Sequence, residues 1–176
     1  MKIEIKLNSD LCCYSGEVYN TTVDIDVVYD KYGIPYIPAK RIKGCIKEAA
    51  LELKDMGLLT HYKEIFGDEG YKPSVFSLSN AKIKDYDKVV EEIKNFNNDE
   101  LCEAQKVLNL YTYTRTQTTI DEVTGSAKEN SLRTMRVVKK GLTFNAELDF
   151  RNKEYLEEFK NAVSMVKHMG VSRTRG

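Results

Sequence analysis

Lys40, Arg41 and Lys43 crowd the opening turn of a segment whose apolar residues are Ile42, Cys45, Ile46, Ala49, Ala50 and Leu53. That i, i+3, i+4 spacing is one buried face of an α-helix, expected over residues 39–56 with Gly57 past its end. Cations at a helix N-terminus oppose the macrodipole unless an anion sits there to meet both. Lys47 extends the basic run by one turn, and Gly44, a poor helix former, leaves room for a second backbone to approach. The residues alone allow two readings: a phosphate site, or a solvated basic face beside a small packing residue. Asp24 and Asp26 form a second candidate group, in the alternating run Val23-Asp24-Ile25-Asp26-Val27. On a regular strand the pair shares one face, with roughly 6.5–7 Å between the two positions. Such carboxylates can hold a divalent cation such as Mg²⁺ or orient a ribose hydroxyl; equally, they can guard a sheet edge against aggregation.

A third group is rich in Arg, Thr and Tyr. Arg115 stands in a Thr-rich, strand-like run over 111–121, and Thr124-Gly125-Ser126-Ala127 makes a loop. Lys128, Arg133 and Arg136 follow on the return. Hydroxyls and guanidinium groups of this kind contact a sugar–phosphate backbone, and an apolar neighbour, Leu132 or Met135, can splay a base. Exposed ladder residues on an ordinary hairpin are the plain alternative. Arg173 and Arg175 near the C-terminus suit phosphate contact as well as they suit a frayed end. Tyr14, Tyr19, Tyr29, Tyr32 and Tyr36 surround the first loop, where they can stack on bases or simply pack.

The elements that must position these groups can be read in outline. Residues 2–7 alternate as a strand, 23–30 are β-like, and 74–83 form another strand after Ile65-Phe66-Gly67. Helical patterns cover 87–96 and 99–110, and residues 135–150 read as a strand pair or one long strand broken at Gly141. Asn152 is placed to cap a last helix along Tyr155, Leu156, Phe159, Ala162, Val163 and Val166. At 176 residues the chain has the size of one domain. It lacks an 18-residue apolar run and an apolar leader, so no membrane partner and a cytoplasmic location are expected. Four cysteines with no C-x-x-C pair, and only two histidines, argue against zinc and for reduced thiols. The 27 Lys and Arg balance 27 Asp and Glu, which excludes a simple nucleic-acid coat but not local basic patches.

Gly33, Pro35, Ile37 and Pro38, followed by Ala39-Lys40-Arg41-Ile42-Lys43-Gly44, resemble the signature of the RAMP superfamily, the RNA-binding subunits of CRISPR-Cas effector complexes. Ala39, Lys40 and Arg41 stand where that family usually has glycine and serines, as in a divergent branch such as the type III complexes. Phe66-Gly67 before a strand is a weaker second match, the Arg- and Thr-rich hairpin resembles the family's thumb, and the tail from Gly170 resembles its glycine-rich loop. The resemblance implies an α+β, ferredoxin-like (RRM-like) β-α-β-β-α unit in a single domain, 1–176, with a helical insertion at 84–110 and a thumb-like hairpin at 112–140. Its last strand is missing, as in a truncated chain or half of a split domain. Guide RNA, target RNA and the other RAMP and large subunits of an effector complex are the implied partners. In related backbone subunits an aspartate in the loop after the first strand cleaves target RNA, which places Asp24 or Asp26 in a catalytic role. In-line attack by a 2′-oxygen would leave a cyclic phosphate. A non-catalytic scaffold gripping the guide end, or a ferredoxin-like protein-interaction module, are the alternatives. Neither His61 nor His168 has a carboxylate or nucleophile partner evident from spacing, which disfavours a guide-processing nuclease.

Overall fold

Strict alternation of apolar and polar residues in Thr143–Phe150 makes this stretch the central strand of a sheet. Phe144, Ala146, Leu148 and Phe150 are buried, while Glu147 and Asp149 between them face solvent. The computed structural model describes residues 1–14, 23–68, 72–96, 102–121, 124–127 and 131–171. In chain order its elements are β1 (Lys2–Lys6), α1 (Ala39–Asp55), α2 (Tyr62–Phe66), β2 (Phe76–Leu78), β3 (Lys82–Ile83), α3 (Tyr86–Asn95), α4 (Ala104–Tyr111), β4 (Thr112–Gln117), β5 (Arg133–Val138), β6 (Thr143–Phe150) and α5 (Leu156–Met165). They divide into two compact units. One comprises Met1–Ile5, Ile37–Lys82 and Phe144–Gly176; the other comprises Lys6–Tyr36 and Ile83–Thr143.

The first unit is an α+β arrangement. Its sheet runs in the order β1-β6-β2, with the short β3 also pairing β6. The succession β1, α1, β2, β6, α5, with β6 between β1 and β2, is the β-α-β-β-α unit of a ferredoxin-like fold. β2 and β6 are antiparallel, Phe76 opposite Phe150 and Leu78 opposite Leu148. Helix α1 buries Ile42, Ile46, Ala49, Ala50 and Leu53 and packs against α5, which buries Phe159 and Ala162. Phe159 lies 4.7 Å from the ring of Phe76 and 5.1 Å from that of Phe150, tying α5 to the sheet. Asn152 caps the last helical segment as expected, its Oδ1 accepting from the Glu154 amide at 3.1 Å. The strand expected over 74–83 is instead two short pieces. Asn80 leaves the ladder so that its Oδ1 can accept from the Ala39 amide (2.9 Å), meeting a donor that Pro38, with no side-chain acceptor, leaves unsatisfied at the start of α1.

The second unit is built around the antiparallel pair β4–β5, in register from Thr112 opposite Val138 to Gln117 opposite Arg133. Helices α3 and α4 lie in the same unit; α3 falls inside the stretch expected as a helical insertion, 84–110, and α4 overruns its end by one residue. Residues 23–30, expected as a strand, make only isolated bridges: Ile25 lies parallel beside Met135, Val27 pairs with Tyr14, and Tyr29 pairs with Pro35. The last of these closes a turn organised by Asp30, whose Oδ1 accepts from the amides of Tyr32 (2.9 Å) and Ile34 (3.0 Å). Gly33 in that turn has φ +80° and sits against the backbone of Ala104. Tyr86 donates its hydroxyl to Asp30 Oδ2 at 2.5 Å; burial and this carboxylate together push the phenol well above its ordinary pKa. Of the two readings open for 135–150, the strand pair holds: two strands that join different sheets are separated by a turn in which Gly141 has φ +89°.

Candidate nucleic-acid interface

Helix α1 presents Lys40, Arg41 and Lys47 at its surface. Lys43 is half-buried instead: its Nζ donates to Ser74 Oγ at 2.9 Å and lies 5.2 Å from the centre of the Phe76 ring. Gly44 is exposed, and a methyl group added there would meet nothing within 4 Å. The close backbone approach expected at Gly44 is therefore not made by the described residues, and the space stays open between basic residues. No acidic residue stands in the first turn of α1 to offset them.

In the second unit the register of β4–β5 sorts the arginines. Arg115 is opposite Met135 and Gln117 is opposite Arg133, so Arg115 and Arg133 lie diagonally on one face, both exposed. Arg136 is three positions from Arg133 and must point the other way. It is only 5% exposed, with its Nε 3.0 Å from Oδ1 of Asp26, itself 2% exposed. The Nε–H is not aimed at an acceptor, so this contact is an ion pair rather than a hydrogen bond. Nη1 donates to Asn109 Oδ1 at 2.8 Å. Arg136 as an RNA contact and Asp26 as a catalytic group are thus corrected: each is interior and occupied by the other.

Asp24 has a different fate. A bend at this position breaks the alternation that would have put both carboxylates on one face. The Asp24 side chain is exposed, and its Oδ2 accepts from the Thr134 amide at 2.7 Å. Its own amide donates to the Thr134 carbonyl at 2.9 Å, fixing Asp24 beside the strand that carries Arg133. Asp24 and Asp26 therefore do not form a two-carboxylate cation site. Among the described residues no group of three or more His, Cys, Asp or Glu is placed to hold a metal ion.

Beyond the ladder, further contacts join the described residues of this stretch. Ser131 Oγ bridges to the amide and carbonyl of Thr119, and Ile120 pairs with Ala127. Asp121 turns the chain, accepting from Thr124 through Oδ1 (3.0 Å) and from Gly125 through its carbonyl (2.9 Å). Ile120 and Leu132 are both 64% exposed, whereas Met135 is 7% exposed. Of the two apolar candidates Leu132 is thus at the surface, and Met135 belongs to the core. Ile120 escaped notice in the sequence. Its signal is an aliphatic residue in a Thr-rich run beyond the last buried ladder position. Tyr14, Tyr29, Tyr32 and Tyr36 are all partly buried, and the ammonium of Lys31 lies 5.0 Å from the Tyr32 ring. Lys128, Arg173, Arg175 and Tyr19 lie outside the described residues.

His61, which spacing had left without a partner, has one across 97 residues: its Nδ1 is 2.7 Å from Glu158 Oε1. Glu158 also accepts from the amides of Thr60 and His61 and from the Thr60 hydroxyl, satisfying donors at the start of α2. The hydrogen bond to Glu158 raises the His61 pKa, outweighing the opposing effect of desolvation. For Glu158, burial pushes the pKa up but the bonds from His61 and Thr60 prevail and hold it down. The histidine contribution to stability is complete below its unfolded pKa of about 6.5 and disappears as pH rises through the raised folded value. The carboxylate contribution is present above the unfolded value and disappears as pH falls through the lowered one. Thermal midpoints should therefore decline as pH rises above about 6.5, and His61→Gln should remove that step. An identical slope in His61→Gln would assign it to other groups.

Among the described residues no helix is long and apolar enough to cross a membrane. No protein of curated function matches the sequence. Solved structures do match its fold. A chain from a structure described as the type III-B Cmr-beta bound to cognate target RNA aligns with TM-score 0.73 at 14% identity, covering 99% of this chain and 93% of that one. A chain from the apo state of Cmr-beta aligns with TM-score 0.71 at 16% identity, with the same coverage. The sequence model of the RAMP superfamily matches residues 15–176, nearly the whole length, and the chain belongs to that superfamily.

Proposed function

We propose that this chain is an RNA-holding subunit of a type III CRISPR-Cas effector complex, binding guide RNA alongside other RAMP and large subunits. The observation that carries the reading is the β4–β5 hairpin. Arg115 and Arg133 share one exposed face, and two aliphatic side chains, Ile120 and Leu132, stand in solvent beyond the buried part of the ladder. Cations suit a phosphate backbone and the aliphatic groups suit an unstacked base; neither serves the interior of this chain. The exposed Lys40, Arg41 and Lys47 around open space at Gly44 offer a second backbone-binding surface. The structural neighbours, one of them described as bound to target RNA, support the same assignment.

The test is single-stranded RNA binding across a salt series. Replacing both Arg115 and Arg133 with Ala should weaken binding by at least about tenfold per arginine. It should also lower the slope of log K against log salt by about 0.7 for each phosphate that is no longer neutralised. A wild-type slope in the double variant, or no salt-dependent RNA binding by wild type, would leave a protein-interaction module as the better description.

A second reading concerns cleavage. Asp24 is a carboxylate held in place by a backbone amide yet open to solvent, and it lies beside the arginine-bearing strand. We assign it the role of positioned base for attack of a target-RNA 2′-oxygen on the adjacent phosphate, which expels the 5′-oxygen and leaves a cyclic phosphate. Asp24→Asn in the assembled complex should slow single-turnover cleavage by about 10²-fold or more while leaving guide-RNA affinity unchanged. Undiminished cleavage would make the chain a non-catalytic scaffold.

A further inference from the structure

The run Val23-Asp24-Ile25-Asp26-Val27 repeats with period two, so its hydrophobic pattern alone does not fix how it lies along β5. A shift of two residues preserves the alternation, and it preserves the kinds of backbone bond by which this segment holds β5. In those bonds Asp24 and Ile25 donate to the Thr134 carbonyl, and Arg136 donates to the Ile25 carbonyl. What distinguishes the positions along β5 is the buried guanidinium of Arg136 beside Asp26. Moving the segment by two in one direction would bring half-buried Val28 to Arg136 and leave a buried cation unpaired. Moving it the other way would bring Asp24 to Arg136, draw that carboxylate off the surface, and press Asp26 toward the position of Val28, whose carbonyl accepts from Tyr36. We propose that the Asp26–Arg136 pair is a register key, a positioning device that selects Asp24 rather than Asp26 as the carboxylate left beside Thr134.

Further features of the structure support the assignment. Arg136 is anchored independently of Asp26, through Nη1 to Asn109 Oδ1 (2.8 Å) and close to Thr112 Oγ1 (3.5 Å). Asp26 is anchored locally, its Oδ1 accepting from the Val27 amide at 2.8 Å. Each partner is thus preset on its own element, and their meeting reports the alignment of one element with the other. Because the Nε–H of Arg136 is not aimed at Asp26, the pair acts through charge more than through directed bonding. Selection of one register is the best-attested use of a buried polar pair.

The consequence for RNA rests on the reading of Asp24 given above; the register itself does not, and the two can be tested apart. In the full chain, NMR contacts between Ile25 and Met135 mark the native alignment. In the double variant Asp26→Leu with Arg136→Met, which replaces both charges by apolar groups, we expect a second set of contacts joining Val23 or Val27 to Met135. We also expect loss or splitting of the Thr134 amide resonance that Asp24 fixes. A single set of wild-type contacts with an unchanged Thr134 resonance overturns the proposal. Should the double variant not fold, Asp26→Asn, which keeps shape and removes charge, decides by the same signals: two sets support the key and one set overturns it. Cleavage is then measured on the folded variants. Slipped register with undiminished cleavage overturns the positioning role, whereas absence of cleavage by wild type removes only the catalytic reading of Asp24.

Discussion

Gly33→Ala should be the most damaging single-methyl change among Gly33, Gly44, Gly57, Gly67, Gly125 and Gly141. A Cβ built on Gly33 falls 1.9 Å from the carbonyl oxygen of Ala104, which is backbone at the start of α4 and cannot swing aside. The φ of +80° adds the left-handed penalty of about 1–2 kcal/mol. Overpacking against a fixed neighbour contributes about 1–3 kcal/mol more. The sum, about 2–5 kcal/mol, corresponds to a fall in thermal midpoint of roughly 5–15 °C for a chain of this size. Gly57 supplies the control. It has a similar φ of +74° but open space around it, so Gly57→Ala should show the conformational penalty alone, about 1–2 kcal/mol. Equal losses at the two positions would show that Ala104 yields and that Gly33 is needed only for its turn.

Asp26→Ala should cost about 3–5 kcal/mol, because it leaves the Arg136 guanidinium buried without its counter-charge. Asp24→Ala, two residues away, removes one hydrogen bond between an exposed carboxylate and an amide, worth about 1–3 kcal/mol at most. Urea denaturation of the two variants side by side is the measurement. Asp26→Ala should shift the midpoint strongly with little change in slope, and Asp24→Ala only slightly. A reversed order would mean that Asp26 is hydrated and that the ion pair with Arg136 does not persist in solution. The comparison also bears on function, since a stability defect at Asp26 and a cleavage defect at Asp24 are the separate signatures expected of a structural and a reacting carboxylate.

Several parts of the fold were legible because they depend on neighbours in sequence. Helix α1 follows from apolar spacing that one face of a helix must bury, and the observed Ala39–Asp55 differs from the expected end by one residue. β1 and the Asn152 cap follow from equally local rules. The opposite orientations of Arg133 and Arg136 were also implicit, since residues three apart on a strand cannot share a face. The strand expected over 74–83 failed for a reason that is not local: Asn80 serves the N-terminus of α1, 41 residues earlier. The run over 135–150 left a strand pair and one long strand both open, because nothing within it says that its two halves pair with different strands.

Taken by itself, the sequence determined the family resemblance, the basic opening of α1, the arginine-bearing hairpin and the order of most elements. All of these are set by residue type and short-range periodicity. Which of two alternating aspartates stays in water, where Arg136 points its charge, and that His61 meets Glu158 were decided only in three dimensions. Each depends on a partner about a hundred residues away, and the balance between burial and hydration of a charge has no meaning until that partner is in place.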